Sequence, residues 1–305
     1  MSLALRMSDE NAFDPSAVRS VTLLVNPAAG GFRMKTIQAL AEALRGRGLS
    51  VEIRMSTAPG HLAELAATVE TDVIAVAGGD GSVNEVVGAL MARPAPVPTL
   101  AVVPQGTANV LAHEIALPSD PQRLAAVIAA GRRRDLHIGL ANGRPFFLMA
   151  SAGFDAEIVH AVETGPRPRF KKLAFVHNAL TRALGHGGPD LTIEADGRRH
   201  TARIAVVAKA KHYGGPFVLA REASAVAPGL VLVALKSDRP WALMRAAAAL
   251  ATGRLGPSAN VIVEPVRRVR ITSETPVATQ IDGEAMATTP LDVVAAERTL
   301  PVLVP

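Results

Sequence analysis

Three short apolar runs, VTLLVN (21–26), DVIAVA (72–77) and TLAVVP (99–104), each stop at a loop rich in small residues that leads straight into a helical pattern. The runs do not alternate polar with apolar residues, so both faces of each strand need covering. That is the condition of a parallel sheet with helices on either side. Between the runs, MKTIQALAEALRGRG brings Ile37, Leu40, Ala41 and Leu44 round at helical spacing and stops at Gly46 or Gly48. LSVEIRM (49–55) alternates as a strand, and APGHLAELAATVE and SVNEVVGALM read as helices. Further helices are predicted at 107–116 and 120–131. Ligands on such sheets bind at the carboxyl ends of the strands. The loops 26–31, 78–82 and 104–109 leave from those ends and hold the glycines.

After Asp135 the pattern changes. HIGLANGRPFFLMAS folds back at Asn142-Gly143, and LTIEADGRRHTARIAVVAKA folds back at Asp196-Gly197. Both pairs are hairpin-turn signals. GLVLVAL, VRRVRITS and LPVLVP add strands, and one helix is predicted at 240–252. The expected architecture is two-domain, α/β followed by β. A loose tail (1–17) precedes a doubly wound parallel-sheet nucleotide-binding domain (18–135) and an antiparallel β-sandwich or barrel (136–305).

Composition narrows the function classes. The 305-residue chain has no cysteine, which excludes disulfides and thiolate metal sites and makes a reducing cytoplasm the default compartment. No apolar stretch reaches 18 residues without a charge, so no spanning helix is expected. The net charge of +5 is uneven: residues 1–140 carry −1 and residues 141–305 carry +6. The second half therefore suits an anionic partner. Aromatic residues make up 3% of the chain, too few to interleave with the basic ones as nucleic-acid binding requires. The eight histidines show no metal-ligand spacing.

Chemistry concentrates in the loops. In VNPAAGG (25–31), Gly30 and Gly31 let backbone N–H groups approach an anion at a helix N-terminus, although a plain loop reads equally well. GGDGS (78–82) is more specific, because it sets Asp80 between Gly79 and Gly81 just before a helix. There Asp80 is expected to organise a metal ion or its waters while neighbouring N–H groups meet phosphate oxygens. In PQGTANVLAHEIALP, Gly106 and Thr107 repeat the logic, with an ordinary N-cap as the alternative for Thr107. Asp282-Gly283 in QIDGEAM reads as a turn or as a functional carboxylate.

In this order and at these separations, NPAAGG, GGDGS-x-NEVV and P-x-GTAN-x-LA resemble the diacylglycerol kinase catalytic family, which includes sphingosine and ceramide kinases. GRRRDLHIG, SAGFDAEIV, YGGPF and QIDGEAM extend the resemblance to about residues 20–304. More distantly, the loop is similar to that of NAD kinases. The resemblance implies an ATP- and Mg²⁺-dependent lipid kinase, cytoplasmic and peripheral at the inner membrane face, acting on diacylglycerol or a related lipid. It implies ATP contacts from Asn26, Gly30, Thr57, Gly79, Gly81, Ser82, Gly106 and Thr107. Asp80 and Asp135 match acidic residues of the Mg²⁺ and water network. Asp282 matches the general base, and Glu284 would support it or the metal. Val110 stands where an acid is usual, and Ala227, Pro228 and Val231 replace acids after YGGPF. Lys209 or Lys211 replaces a common Asn. These departures imply that a structural Mg²⁺ site in the second domain is missing. A soluble small-molecule kinase and a non-catalytic nucleotide-binding regulator remain alternatives, and a homodimer is left open. The stretch 165–185, with five basic and no acidic residues, is expected to touch the lipid surface.

Overall fold

The computed structural model describes residues 18–154, 156–157, 159–160, 188–215 and 217–305. The stretch 165–185 lies outside the described residues. The first domain is built on β1 (Ser20–Val25), β2 (Ser50–Met55), β3 (Val73–Gly78) and β4 (Thr99–Pro104), all parallel, in the order β2-β1-β3-β4. Every residue of β3 is buried, as a central strand covered on both faces requires. One face is covered by α1 (Met34–Arg45) and α5 (Pro121–Ala130), the other by α2 (His61–Thr68) and α3 (Asp80–Ala92). The boundaries of α5 follow from local chemistry. Asp120 accepts a bond from the Arg123 N–H, Pro121 opens the first turn, and Gly131 closes the helix in the left-handed region at φ 64°.

The second domain is an antiparallel sandwich. Its strands are β5 (Arg133–Ala141), β6 (Arg144–Phe146), β7 (Met149–Gly153), β8 (Leu191–Ala195), β9 (Arg198–Ala202) and β10 (Ile204–Ala208). The short pair β11 (His212–Tyr213) and β12 (Phe217–Val218) follows, then β13 (Leu230–Leu235) and helix α6 (Pro240–Ala251). The chain ends with β14 (Val261–Val266), β15 (Arg268–Ser273), β16 (Ala278–Ile281), β17 (Glu284–Thr288) and β18 (Leu291–Leu303). One layer runs β14-β13-β10-β7-β16-β17. Its inner face, with Ala150, Val207 and Leu232, packs on Ile193, Ile271 and Val293 of the other layer. The Asn142-Gly143 and Asp196-Gly197 pairs are hairpin turns with positive φ at both residues, as expected.

Two features depart from the sequence reading. The last strand is not confined to the second domain: β18 shifts register between Ala295 and Thr299, and Val302 pairs in parallel with Leu100 of β4. The parallel sheet and one sandwich layer are thus a single ten-stranded sheet. The helix expected at 107–116 is only α4 (Val110–Glu114). Asn109 adopts φ 47° and exchanges two hydrogen bonds with the backbone of Gly106, so 106–109 is a closed loop rather than a first turn.

Candidate functional site

The three glycine loops meet at the carboxyl edge of the parallel sheet, and their glycines serve mainly to pack them together. A Cβ on Gly106 would lie 2.4 Å from the Gly79 Cα, and one on Gly31 would lie 2.9 Å from the Gln105 carbonyl oxygen. A Cβ on Gly30 would stand 3.0 Å from the Thr107 hydroxyl. Asn26 donates to the Ser82 hydroxyl at 2.9 Å and takes the Ala28 N–H on its own oxygen. The structure therefore brings Asn26, Gly30, Gly79, Gly81, Ser82, Gly106 and Thr107 together. Thr57 follows the edge strand β2, where its hydroxyl lies 3.0 Å from His61 Nδ1. Helix α3 starts inside this cluster. Its N-cap residue is Gly79, with no side chain to cap the first N–H groups, which leaves a donor-rich helix end facing the loops.

Asp80 has a role that the sequence did not reveal. Its two oxygens accept the N–H groups of Val110 at 3.0 Å and Leu111 at 3.2 Å, so it caps α4 from thirty residues away. Burial pushes its carboxyl upward, and these two bonds oppose the shift. At the other end of α4, Glu114 accepts the Lys211 and Ala225 N–H groups and meets His212 Nδ1 at 2.8 Å. Thus α4 ties the glycine loops to the second domain.

Asp282 sits across from α3 at the turn between β16 and β17. Its backbone, with φ 50°, and that of Gly283, with φ 85°, match the other two Asx-Gly turns. Asp196 also resembles it in accepting two backbone N–H groups, from Arg267 and Arg268, and the turn reading is to that extent correct. The surroundings differ. Asp196 is exposed, whereas Asp282 is 8% exposed and accepts four donors. One oxygen takes the Leu148 and Met149 N–H groups, both at 2.9 Å. The other takes the Phe147 N–H at 3.0 Å and Asn84 Nδ2 at 2.7 Å. Burial raises its carboxyl from 3.8 to about 7 against the pull of these donors. Asn84, on the first turns of α3, is the functional candidate that sequence reasoning missed. Its signal was its position four residues after Asp80, on the helix face that carries Gly81. Glu284 lies on the same face: its Oε1 would be 3.3 Å from a Cβ on Gly81, and Arg144 stands 3.6 Å from its other oxygen.

Asp135 does not join this group. It pairs with Pro301 on β18, whose next residue faces Leu100 near the start of β4, while the loops leave after Pro104. Four residues of strand, about 13 Å, separate those levels. Its carboxylate meets the Thr299 hydroxyl instead, at 3.3 Å. Among the described residues no three His, Asp or Glu side chains converge on one point. Asp80 and Glu284 flank Gly81, and Glu85 holds a buried oxygen without a partner. Mg²⁺ keeps several waters and takes one or two carboxylates beside substrate phosphates, so this set fits an ion delivered with a nucleotide better than an all-protein cage.

The departures in the second domain have a clear geometry. Lys209 is 1% exposed, and its ammonium donates to the carbonyls of Ser224, Ala227 and Gly229, all within 3.0 Å. A lysine thus holds the 224–229 turn by its carbonyl oxygens. Burial lowers its pKa to about 8.

Comparison with known proteins supplies the family. Residues 20–141 match the diacylglycerol kinase catalytic domain, and residues 149–304 match the YegS C-terminal NAD kinase beta sandwich-like domain. The chain belongs to this diacylglycerol kinase and YegS-type family. A diacylglycerol kinase of Bacillus subtilis is 27% identical over 94% of this chain and 97% of its own length. A probable YegS-like lipid kinase of Pectobacterium atrosepticum is 31% identical over 53% of this chain and 56% of its own. A crystal structure of a putative diacylglycerol kinase from Bacillus anthracis superposes with a TM-score of 0.76 at 21% identity, covering 95% of this chain and 98% of that one. The N-terminal parallel-sheet domain and C-terminal antiparallel sandwich are the architecture of this family. Membership supports a lipid kinase activity, hence a phosphotransferase, and implies ATP and usually a divalent metal. No helix among the described residues is long and apolar enough to cross a membrane.

Proposed function

We propose that the protein transfers the γ-phosphate of ATP to a hydroxyl of diacylglycerol or a related lipid, with Asp282 as general base. The observation that carries this reading is the Asp282 carboxylate, buried opposite the start of α3 and titrating at about 7. A base with that pKa is half ionised at neutral pH and matched to proton transfer there. Its four donors fill the lone pairs that a carboxylate offers. Three are backbone groups and cannot leave. Asn84 is the one that can turn aside, so the lipid hydroxyl replaces the Asn84 amide on that oxygen.

The hydroxyl proton then passes to Asp282 as the oxygen forms its bond to the γ-phosphorus and the bond to ADP breaks. The α3 N-terminus, Ser82 and the Gly106-Thr107 loop supply donors to the phosphates, with Asn26 and Gly30 fixing the loop beside them. Thr57 would reach the nucleotide from the β2 edge. Mg²⁺ would neutralise phosphate charge when bound, met by Asp80 and Glu284. Asp135 is too far along the sheet to share that task directly.

The non-catalytic reading also has an observation behind it: the bonds of Asp80 and Asp282 each brace the fold. The two are separated by transfer from γ-labelled ATP into a total bacterial lipid extract in vesicles. A labelled lipid made by the wild type and absent with Asp282→Asn supports the kinase. ATP binding without any labelled lipid would overturn it.

A further inference from the structure

Helix α6 breaks the usual rule for a surface helix. None of its residues is buried. Leu243 and Leu250 lean on the core, while the outward face carries Trp241, 51% exposed, and Met244, 72% exposed, with Ala247, Ala248 and Ala251. Surface helices ordinarily present charged residues on that face. Here Arg245 is the only charge, and its guanidinium lies 5.9 Å from the Trp241 ring centre.

The neighbourhood is predominantly basic. Lys236, Arg239 and Arg254 are exposed around the helix, and the one acid between 236 and 260, Asp238, is occupied by the Gly188 N–H. Beside α6 lies a cavity of about 300 Å³ whose polar lining is Arg245, Arg254, Ser237, Ser258 and Asn260, the rest being Trp241 and small or apolar residues. No acid is among its described lining residues. A rim of guanidinium, hydroxyl and amide groups suits a phosphodiester. An apolar face with an aromatic ring and flanking arginines suits the headgroup boundary of a bilayer.

We infer that α6 and this cavity dock the protein onto a bilayer bearing anionic phospholipid. Trp241 and Met244 enter the boundary, and Arg245 and Arg254 take a lipid phosphate. The inference rests on the lipid kinase reading insofar as a lipid acceptor has to be met at a surface. The patch belongs to residues outside the phosphoryl-transfer site.

Trp241 is the only tryptophan in the chain, so its emission reports on this face alone. With phosphatidylglycerol vesicles the emission should shift to the blue and be quenched by brominated acyl chains. Phosphatidylcholine vesicles should give neither effect. The double variant Arg245→Gln/Arg254→Gln should partition on the order of 30-fold more weakly, and Met244→Ser should weaken binding too. Soluble glycerophosphate binding without any vesicle effect would overturn the inference in favour of a free phosphate ester. A vesicle-independent shift that tracks protein concentration, together with a doubled mass, would overturn it in favour of a second copy of the chain. Kinase assays with water-soluble short-chain diacylglycerol separate the two readings. If docking fails, that acceptor is still labelled while the emission stays fixed. If the kinase reading fails, no acceptor is labelled while the vesicle shift persists.

Discussion

Replacing Asp282 by Asn keeps the shape of the side chain and turns one acceptor into a donor. The remaining oxygen can still take the Leu148 and Met149 N–H groups. Asn84 can rotate to offer its own oxygen to the new amide. The Phe147 N–H is then left without a partner, which costs about 1–3 kcal/mol, and the two retained bonds lose their charged acceptor at about 1 kcal/mol each. Against this, the rise from 3.8 to about 7 means that ionising the buried carboxyl costs about 4 kcal/mol even with its four bonds in place, a penalty that the amide does not carry. That relief offsets the lost bonds, so the variant should unfold in urea no more than about 2 kcal/mol below the wild type at pH 7.5. Loss of the base should nevertheless lower kcat by about 10²–10⁴. Asp196→Asn is the control, because it has the same turn and two backbone N–H partners but an exposed carboxylate. It should cost about 1 kcal/mol or less and leave kcat unchanged. An Asp282→Asn protein of near wild-type stability that keeps more than about a tenth of kcat would refute the reasoning. A loss well beyond about 4 kcal/mol would make Asp282 a brace instead.

Asn84→Ala removes a donor that favours the ionised form of Asp282, so the acid limb of the pH–rate profile should move to higher pH; an unmoved limb would detach Asn84 from the base. The folded protein holds a proton on Asp282 that the unfolded chain has lost between about pH 4 and 7. This group's contribution to stability is therefore present below about pH 4 and lost as pH rises through about 7, and Asp282→Asn should flatten that part of the urea-midpoint profile. Lys209→Met strips three buried carbonyls of their ammonium and should cost about 3–5 kcal/mol in thermal or urea unfolding; a cost under 1 kcal/mol would mean that the turn does not depend on it. Gly106→Ala would press a methyl against Gly79 and should weaken ATP binding by tenfold or more in calorimetry, whereas unchanged affinity would disconnect loop packing from the nucleotide.

Much of the fold was legible because it is written locally. Continuous apolar runs announced the parallel strands, and Asn-Gly and Asp-Gly marked turns whose backbones have the positive φ that those pairs accept. What escaped was long-range. Nothing near Val302 says that it pairs with Leu100, since period and apolarity do not name a partner. The motif around Asp80 singled that residue out, but its N–H partners, Val110 and Leu111, lie thirty positions on. Helix α4 lost its first turn because Asn109 took a left-handed conformation that the apolar spacing could not foresee. The Asp282 turn looked like that of Asp196, and burial, a third backbone N–H and the reach of Asn84 distinguish the two.

The most direct test of the central claim is the rate of γ-phosphate transfer from ATP to diacylglycerol in vesicles, followed from pH 5.5 to 8.5 in wild type and Asp282→Asn. The account predicts a labelled lipid whose rate of formation rises through an inflection near pH 7, and almost none from the variant. A flat profile with equal labelling by both proteins would contradict it.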